Sequence, residues 1–330
     1  MDSVPYKFVD AVVELLDEET LESLTKESVH PPVWNKVAEI HEQNRYYGDV
    51  WFRQVDGIVQ CALKHKVIGM DDVKSIGRRF VRFVAIYDQT NNNTVADWDL
   101  IWDEGLKFEE ADVGEMIKVL MPYFMLSGKH NSLALLETAV NLQNTILEHL
   151  YKKLYFTTLD IKYTGEAACN FLKDHIDNHE FLKGVDLHGD WPASIVPYIE
   201  KFCLQNQRPR YLTMRRTTHS LLDWTHIEEL FVYWKENENF ELRLRYYTHS
   251  EDTDHSEGYA QVMEDDMEAN EGAECRYYYL KHERIGSIAR CCISPPYDGQ
   301  SSVSLTFGPD YDLLEDDEPE GEEDLIDDMN

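Results

Sequence analysis

His175 and His179 stand four residues apart in a stretch that reads as helix, with Cys169 six residues before the first. Two imidazoles at i and i+4 share one helix face, a spacing that can ligate zinc. The glutamate that serves as base in a His-Glu-x-x-His site is missing, because Ile176 follows His175. We therefore read both histidines as solvent-facing. Cys291-Cys292 has no Cys-x-x-Cys companion, and Ser127-Gly128-Lys129 lacks the glycines that cradle a phosphate. No Gly-x-Gly-x-x-Gly follows a strand, and no Gly-x-Ser-x-Gly elbow occurs. The 63 acidic residues supply carboxylate pairs by chance, so pairing alone marks no acid–base couple. Trp98, Trp102 and Phe108 around Asp97, Asp99 and Asp103 could bind a ligand, but such rings more often cap a core beneath a loop. No catalytic residue, metal ligand or cofactor site is assigned, and the chain is expected not to be an enzyme.

The most distinctive short motif is Gly189-Asp190-Trp191-Pro192. Glycine permits a bend and proline suits the first turn of a helix, so the motif reads as a strand-to-helix corner. Trp191 is its candidate target-binding residue, since exposed aromatics anchor interfaces.

The elements that position these residues read as α/β. Val50–Val55 and Ile58–Leu63 flank Asp56-Gly57, a strong hairpin signal. A short helix near Asp71–Arg79, a buried strand at Phe80–Tyr87 and a loop at Asn91–Asn93 follow. Glu109–Phe124 reads as a helix that ends or kinks at Pro122. Leu133–Leu136 reads as strand and Val140–Lys152 as helix. From about residue 155, strand and helix alternate: Tyr155–Tyr163 then Glu166–Ile176, Phe181–Leu187 then Ser194–Cys203, Tyr211–Arg215 then Trp224–Trp234. Leu182, Leu212 and Leu242 are spaced by 30. Such units imply parallel strands with right-handed crossovers. They suit either a solenoid resembling leucine-rich repeats or an ordinary parallel sheet. Cys275–His282 and Ser302–Phe307 read as final strands, with Arg284–Arg290 as strand or turn.

Charge divides the chain further. The net charge is −32, yet residues 310–330 hold 12 Asp/Glu and residues 251–274 hold 10, neither segment with any Lys or Arg. Only ten excess negative charges remain for the rest. Residues 248–274 read as a disordered acidic insertion and 309–330 as a disordered acidic tail. Nucleic acid and anionic membranes are disfavoured as partners, because both need clustered Lys and Arg. No run of eighteen apolar residues suits a membrane span. The N-terminus has no small-residue cleavage pattern. Six scattered cysteines fit a reducing compartment, cytoplasmic and/or nuclear, where the sequon Asn92-Asn93-Thr94 would stay silent.

The first 45 residues read as a three-helix head. Val9, Val12, Val13 and Leu16 share one helical face, Leu21 and Leu24 start a second helix after Asp17-Glu18-Glu19, and Val33, Trp34, Val37 and Ile40 form a third stripe. Pro31-Pro32 separates the second helix from the third. So small a unit covers few of its own apolar side chains. Part of this face is therefore expected to dock a partner, and 46–308 is expected to form the α/β body.

Val4-Pro5, the run Val9–Leu16, the Leu21/Leu24 pair and Trp34 stand in the order of the F-box, the module that docks onto the Skp-type linker of cullin–RING ubiquitin ligases. With Met1–Pro5, Tyr163-Thr164-Gly165 and Gly189–Pro192, the chain resembles a large nematode F-box-like family, in which a divergent F-box precedes a Leu-rich α/β region. The resemblance covers the head and patches from about 110 to 245. It implies a substrate-recognition adaptor that holds an unknown target protein near a ubiquitin-loaded enzyme, by proximity alone. It implies linker docking through Val4, Pro5, Phe8, Val9, Val12, Leu15, Leu16, Leu21, Leu24 and Trp34. Two other readings stay open. One is an interaction scaffold with a degenerate F-box. The other is an acidic chaperone or decoy for basic proteins.

Overall fold

The computed structural model describes residues 4–26, 32–64, 70–88, 90, 108–124, 131–136, 139–205, 209–215, 221–249, 255–265, 275–282, 286–294 and 300–309. Ser127–Lys129, Asn91–Asn93, Asp97–Asp103 and the tail from Asp310 lie outside them.

Three helices open the chain: α1 (Tyr6–Glu14), α2 (Glu18–Lys26) and α3 (Pro32–Asn44). The Asp17 carboxylate accepts from the Thr20 N–H at 2.8 Å and caps α2, whose first turn is acidic and whose last carries Lys26. Val9 and Val13 of α1, Leu21 of α2, and Val37 and Ala38 of α3 form a small buried core. Val4, Leu16, Leu24, Val33 and Trp34 pack around it, partly buried.

The helices do not form a separate 1–45 unit. They fall into one compact unit with the following sheet, comprising Met1–Phe202 and Leu212–Leu221. The cause is a set of charged contacts: Arg45 and Arg82 donate to main-chain oxygens at the end of α1, while Asp10 meets His41 at 2.9 Å and Arg79 at 2.6 Å. Helix-end carbonyls lack partners within the helix and carry its negative pole, so guanidinium groups satisfy both needs.

In this unit β1 (Tyr46–Val55) and β2 (Ile58–Lys64) form an antiparallel hairpin. Its turn places Asp56 at φ 51° and Gly57 at φ 80°, the left-handed pair that a two-residue hairpin loop requires. After α4 (Met70–Ile76), β3 (Val81–Asp88) lies parallel to β1. β4 (Glu109–Glu110) pairs with β2. The expected 109–124 helix is shorter, α5 (Val113–Leu120), capped by Asp112 and passing at Pro122 into a 3-10 turn. β5 (Ser132–Leu135), α6 (Val140–Leu150), β6 (Thr158–Lys162), α7 (Glu166–Asn178) and β7 (Gly184–His188) follow. The strand order is β7-β6-β5-β3-β1-β2-β4, parallel from β7 to β1.

The sequence spacing of 30 does not describe the pairing. Ser132, Thr158 and Gly184 occupy one cross-strand row, 26 residues apart at each step. Leu182 precedes β7, so the leucine series does not occupy equivalent strand positions. Leu133, Leu135, Leu159, Ile161, Val185 and Leu187 are buried on one face. Right-handed crossovers between successive parallel neighbours bring α6 and α7 to that same side.

The second unit comprises Cys203–Tyr211 and Leu222–Asn330, so it starts inside α8 (Val196–Cys203) and divides β8 (Arg210–Arg215) with the first. It contains α9 (Trp224–Glu236), β9 (Leu242–His249), α10 (His255–Val262), β10 (Glu264–Asp265), β11 (Arg276–Lys281), β12 (Ser287–Ile293) and β13 (Gln300–Pro309). Its strands run β10-β11-β12-β13-β9, antiparallel at every step. The expected α/β body with a mostly parallel sheet is found, and its antiparallel strands, β2 and β4 apart, gather in the second unit. Residues 248–274 are not uniformly irregular. Tyr259 of α10 is fully buried, its hydroxyl 3.0 Å from that of Tyr246 and its ring edge-on to Trp224 at 4.9 Å. Charge counting missed this anchor because one buried aromatic outweighs several solvated carboxylates.

Candidate functional site

Alternation along β6, β7 and β8 sends every second side chain away from the helix-covered face. Asp160 and Asp186 are direct neighbours across the β6–β7 pair. His188 lies two residues beyond Asp186, on the same side, and Arg215 ends β8 beside them. The Arg215 guanidinium meets Asp186 Oδ2 at 3.0 Å. His188 Nε2 is 3.1 Å from Asp160 Oδ1 and 3.2 Å from Asp186 Oδ1. These three atoms are shielded from solvent, and none makes a hydrogen bond of acceptable alignment. They are close without pointing a proton along the line between them.

Two carboxylates directly opposed on neighbouring strands repel each other. Burial adds to the cost, raising the Asp160 carboxyl above its usual range even though His188 and Arg215 pull it back. Burial disfavours the charged His188 ring too, but the two carboxylates outweigh it and lift its pKa to about 9. His188 is thus an imidazolium at neutral pH and, with Arg215, balances the two aspartates.

The row continues across the sheet as Asp186, Asp160, Ala134, Tyr87 and Trp51. Tyr87 and Trp51 lie 4.6 Å apart, ring to ring. The preceding row holds Gly184, Thr158, Ser132, Ala85 and Asp49, whose central side chains are small. Burial raises the Asp49 pKa to about 6, with Lys64 pulling the other way. An aromatic pair thus stands at one end of these rows and an acid–histidine–arginine group at the other. Such a strip can bind a polypeptide side chain or an ion.

Sequence reasoning missed this group. Its trace was the alternation Asp160, Asp186-x-His188 and Arg215 within strands, which means nothing until the register places the strands side by side.

Trp191 is not an exposed anchor. It is 5% exposed, its indole N–H donates to His188 O at 3.1 Å, and its ring lies 5.5 Å from Tyr163. The corner reading of its motif agrees with Gly189 at φ 81° and a 3-10 turn starting at Ala193. His175 is not solvent-facing. It is fully buried, its Nδ1–H donates to Phe171 O at 3.0 Å, and its Nε2 accepts from the Phe156 N–H at 3.3 Å. Burial lowers its pKa to about 3 and holds it neutral, and that of half-buried His179 to about 4. Both nitrogens of His175 are committed to the backbone, so the His175/His179 spacing does not assemble a metal site.

The ten residues of the resemblance separate by exposure. Val9 and Leu21 are buried, and Val4, Leu16, Leu24 and Trp34 pack around the same core. Val12 is half-buried and Pro5 exposed. Phe8 and Leu15 point outward at 56% and 68% exposure, joined by Tyr6 at 45%, which the sequence reading did not select. No helix among the described residues is long and apolar enough to cross a membrane. Compared with known proteins, the chain matches no family model, no curated protein and no solved structure.

Proposed function

We propose that this chain is a non-enzymatic substrate-recognition adaptor of a Skp–cullin–F-box-type ubiquitin ligase, docking through its N-terminal helices and holding a target protein on its α/β body. The observation that carries the reading is the division of α1 into two apolar sides. Val9 and Val13 complete a small core, while Phe8 and Leu15, the residue after the helix, remain exposed on another side. A nine-residue helix with large apolar groups on its outer side fits a helix-to-helix docking surface. The order of apolar residues resembling an F-box supplies the partner's identity. The arginine contacts at the end of α1 add support, because an adaptor works by fixing a target relative to its anchor.

The test is co-purification with the Skp-type linker from gentle lysates. Phe8→Asp with Leu15→Asp alters exposed positions only and should abolish recovery in a chain that still unfolds cooperatively. Undiminished recovery, or no linker with the unaltered chain, refutes the reading.

A further inference from the structure

We propose that Asp160, Asp186 and His188 bind one divalent transition-metal ion of the zinc type on the face of the parallel sheet opposite its helix-covered side. Among the described residues these three bring their ligand atoms, two carboxylate oxygens and one imidazole nitrogen, within 4.8 Å of one another. The separations of 3.1 and 3.2 Å from His188 Nε2 to the two oxygens match edges of a coordination shell. Metal–ligand bonds of about 2.0–2.2 Å place adjacent ligands roughly 3.0–3.5 Å apart.

Three further features favour an ion over a simple ion-pair cluster. All three atoms are shielded, and none has an aligned hydrogen bond, so the three crowd one point without satisfying one another. Arg215 holds Oδ2 of Asp186 and leaves Oδ1 for the shared point, as outer partners do around ligating carboxylates. All ligands sit on paired strands, which fix their positions more tightly than loops would. A nitrogen with two oxygens suits zinc and its neighbours better than calcium or magnesium, which take oxygen alone.

The charged groups facing the point are Asp160 and Lys162 of β6, Asp186 and His188 of β7, and Arg215 of β8.

The experiment titrates zinc chloride into the full-length, metal-stripped chain by calorimetry near pH 7. One saturable ion per chain is expected. Asp186→Asn and His188→Gln should each weaken binding at least about tenfold, a size seen when metal-site groups are altered. Binding unchanged in Asp186→Asn or in His188→Gln, or no saturable binding, overturns the proposal. Should a variant fail to fold, cobalt(II) added to the unaltered chain decides. A visible spectrum of low-coordinate nitrogen–oxygen ligation supports the site, and one indistinguishable from hydrated cobalt refutes it.

Discussion

Arg45, the residue after α3, donates through Nη1 to the main-chain oxygen of Leu16 at 2.6 Å. The same guanidinium donates to Val13 O and reaches Tyr47 Oη at 3.3 Å. Arg82, from β3, completes the arrangement on Glu14 O at 2.9 Å. One buried cation therefore ties the end of α1 to the start of the sheet. Its removal takes the guanidinium donor from Leu16 O and leaves Val13 O with the Leu16 N–H. Arg45→Ala should destabilise the first unit by about 3 kcal/mol, since bonds to charged groups are worth more than neutral ones. Arg45→Lys should recover less than half, because an ammonium lacks the planar fork. Urea unfolding of the three proteins checks both statements.

His175 and His188 should give stability opposite dependences on pH. The unfolded His175 binds a proton below about 6.5, whereas the folded one refuses it until about 3. Stability contributed there is full above 6.5 and declines as pH falls through that window, by at most about 1.4 kcal/mol per unit. His175→Leu should be less stable at pH 7 and show a shallower acid slope. Denaturant midpoints between pH 7 and pH 4 measure the difference.

His188 works the other way. Its folded pKa of about 9 exceeds the unfolded value, so its contribution is full below about 6.5 and is lost as pH rises through 9. His188→Gln should flatten the alkaline side of the stability profile between pH 7 and pH 9.5. An unaltered alkaline slope would show that the aspartates do not hold the imidazolium.

Tyr259 should be the residue on which α10 depends. Tyr259→Ala empties a fully buried site and should cost about 3–5 kcal/mol. A Cβ at Gly258 would lie 2.7–2.8 Å from the Trp224 ring, so Gly258→Ala should also destabilise, by about 1–3 kcal/mol. Hydrogen exchange should quicken in α10 in both variants. Equal protection in variant and parent would remove the anchor from the account.

The β1–β2 turn is a local matter. Gly57→Ala meets no neighbour but must keep φ near 80°, so about 1 kcal/mol should be lost to strain alone. Thermal unfolding at matched concentration reads this directly.

Elements whose cause lies within a few residues were legible in the sequence: the Asp56-Gly57 hairpin, the helix-ending Pro122, the acid-capped α2 and the Gly189–Pro192 corner. Turn dihedrals, proline geometry and caps depend on near neighbours, and the chain order states them outright. Tertiary structure alone decided which way each apolar or charged side chain faces. Phe8 and Val9 are adjacent and both apolar, yet one is exposed and the other buried, because only packing against Leu21 and Val37 selects the inner side. Asp160 and Asp186 are 26 residues apart and become partners only when β6 and β7 pair in register. The anchoring of α10 by Tyr259 likewise depends on Tyr246 and Trp224, distant in the chain. Periodicity gives the type of an element, but its register and the identity of its covered face are properties of the assembled sheet.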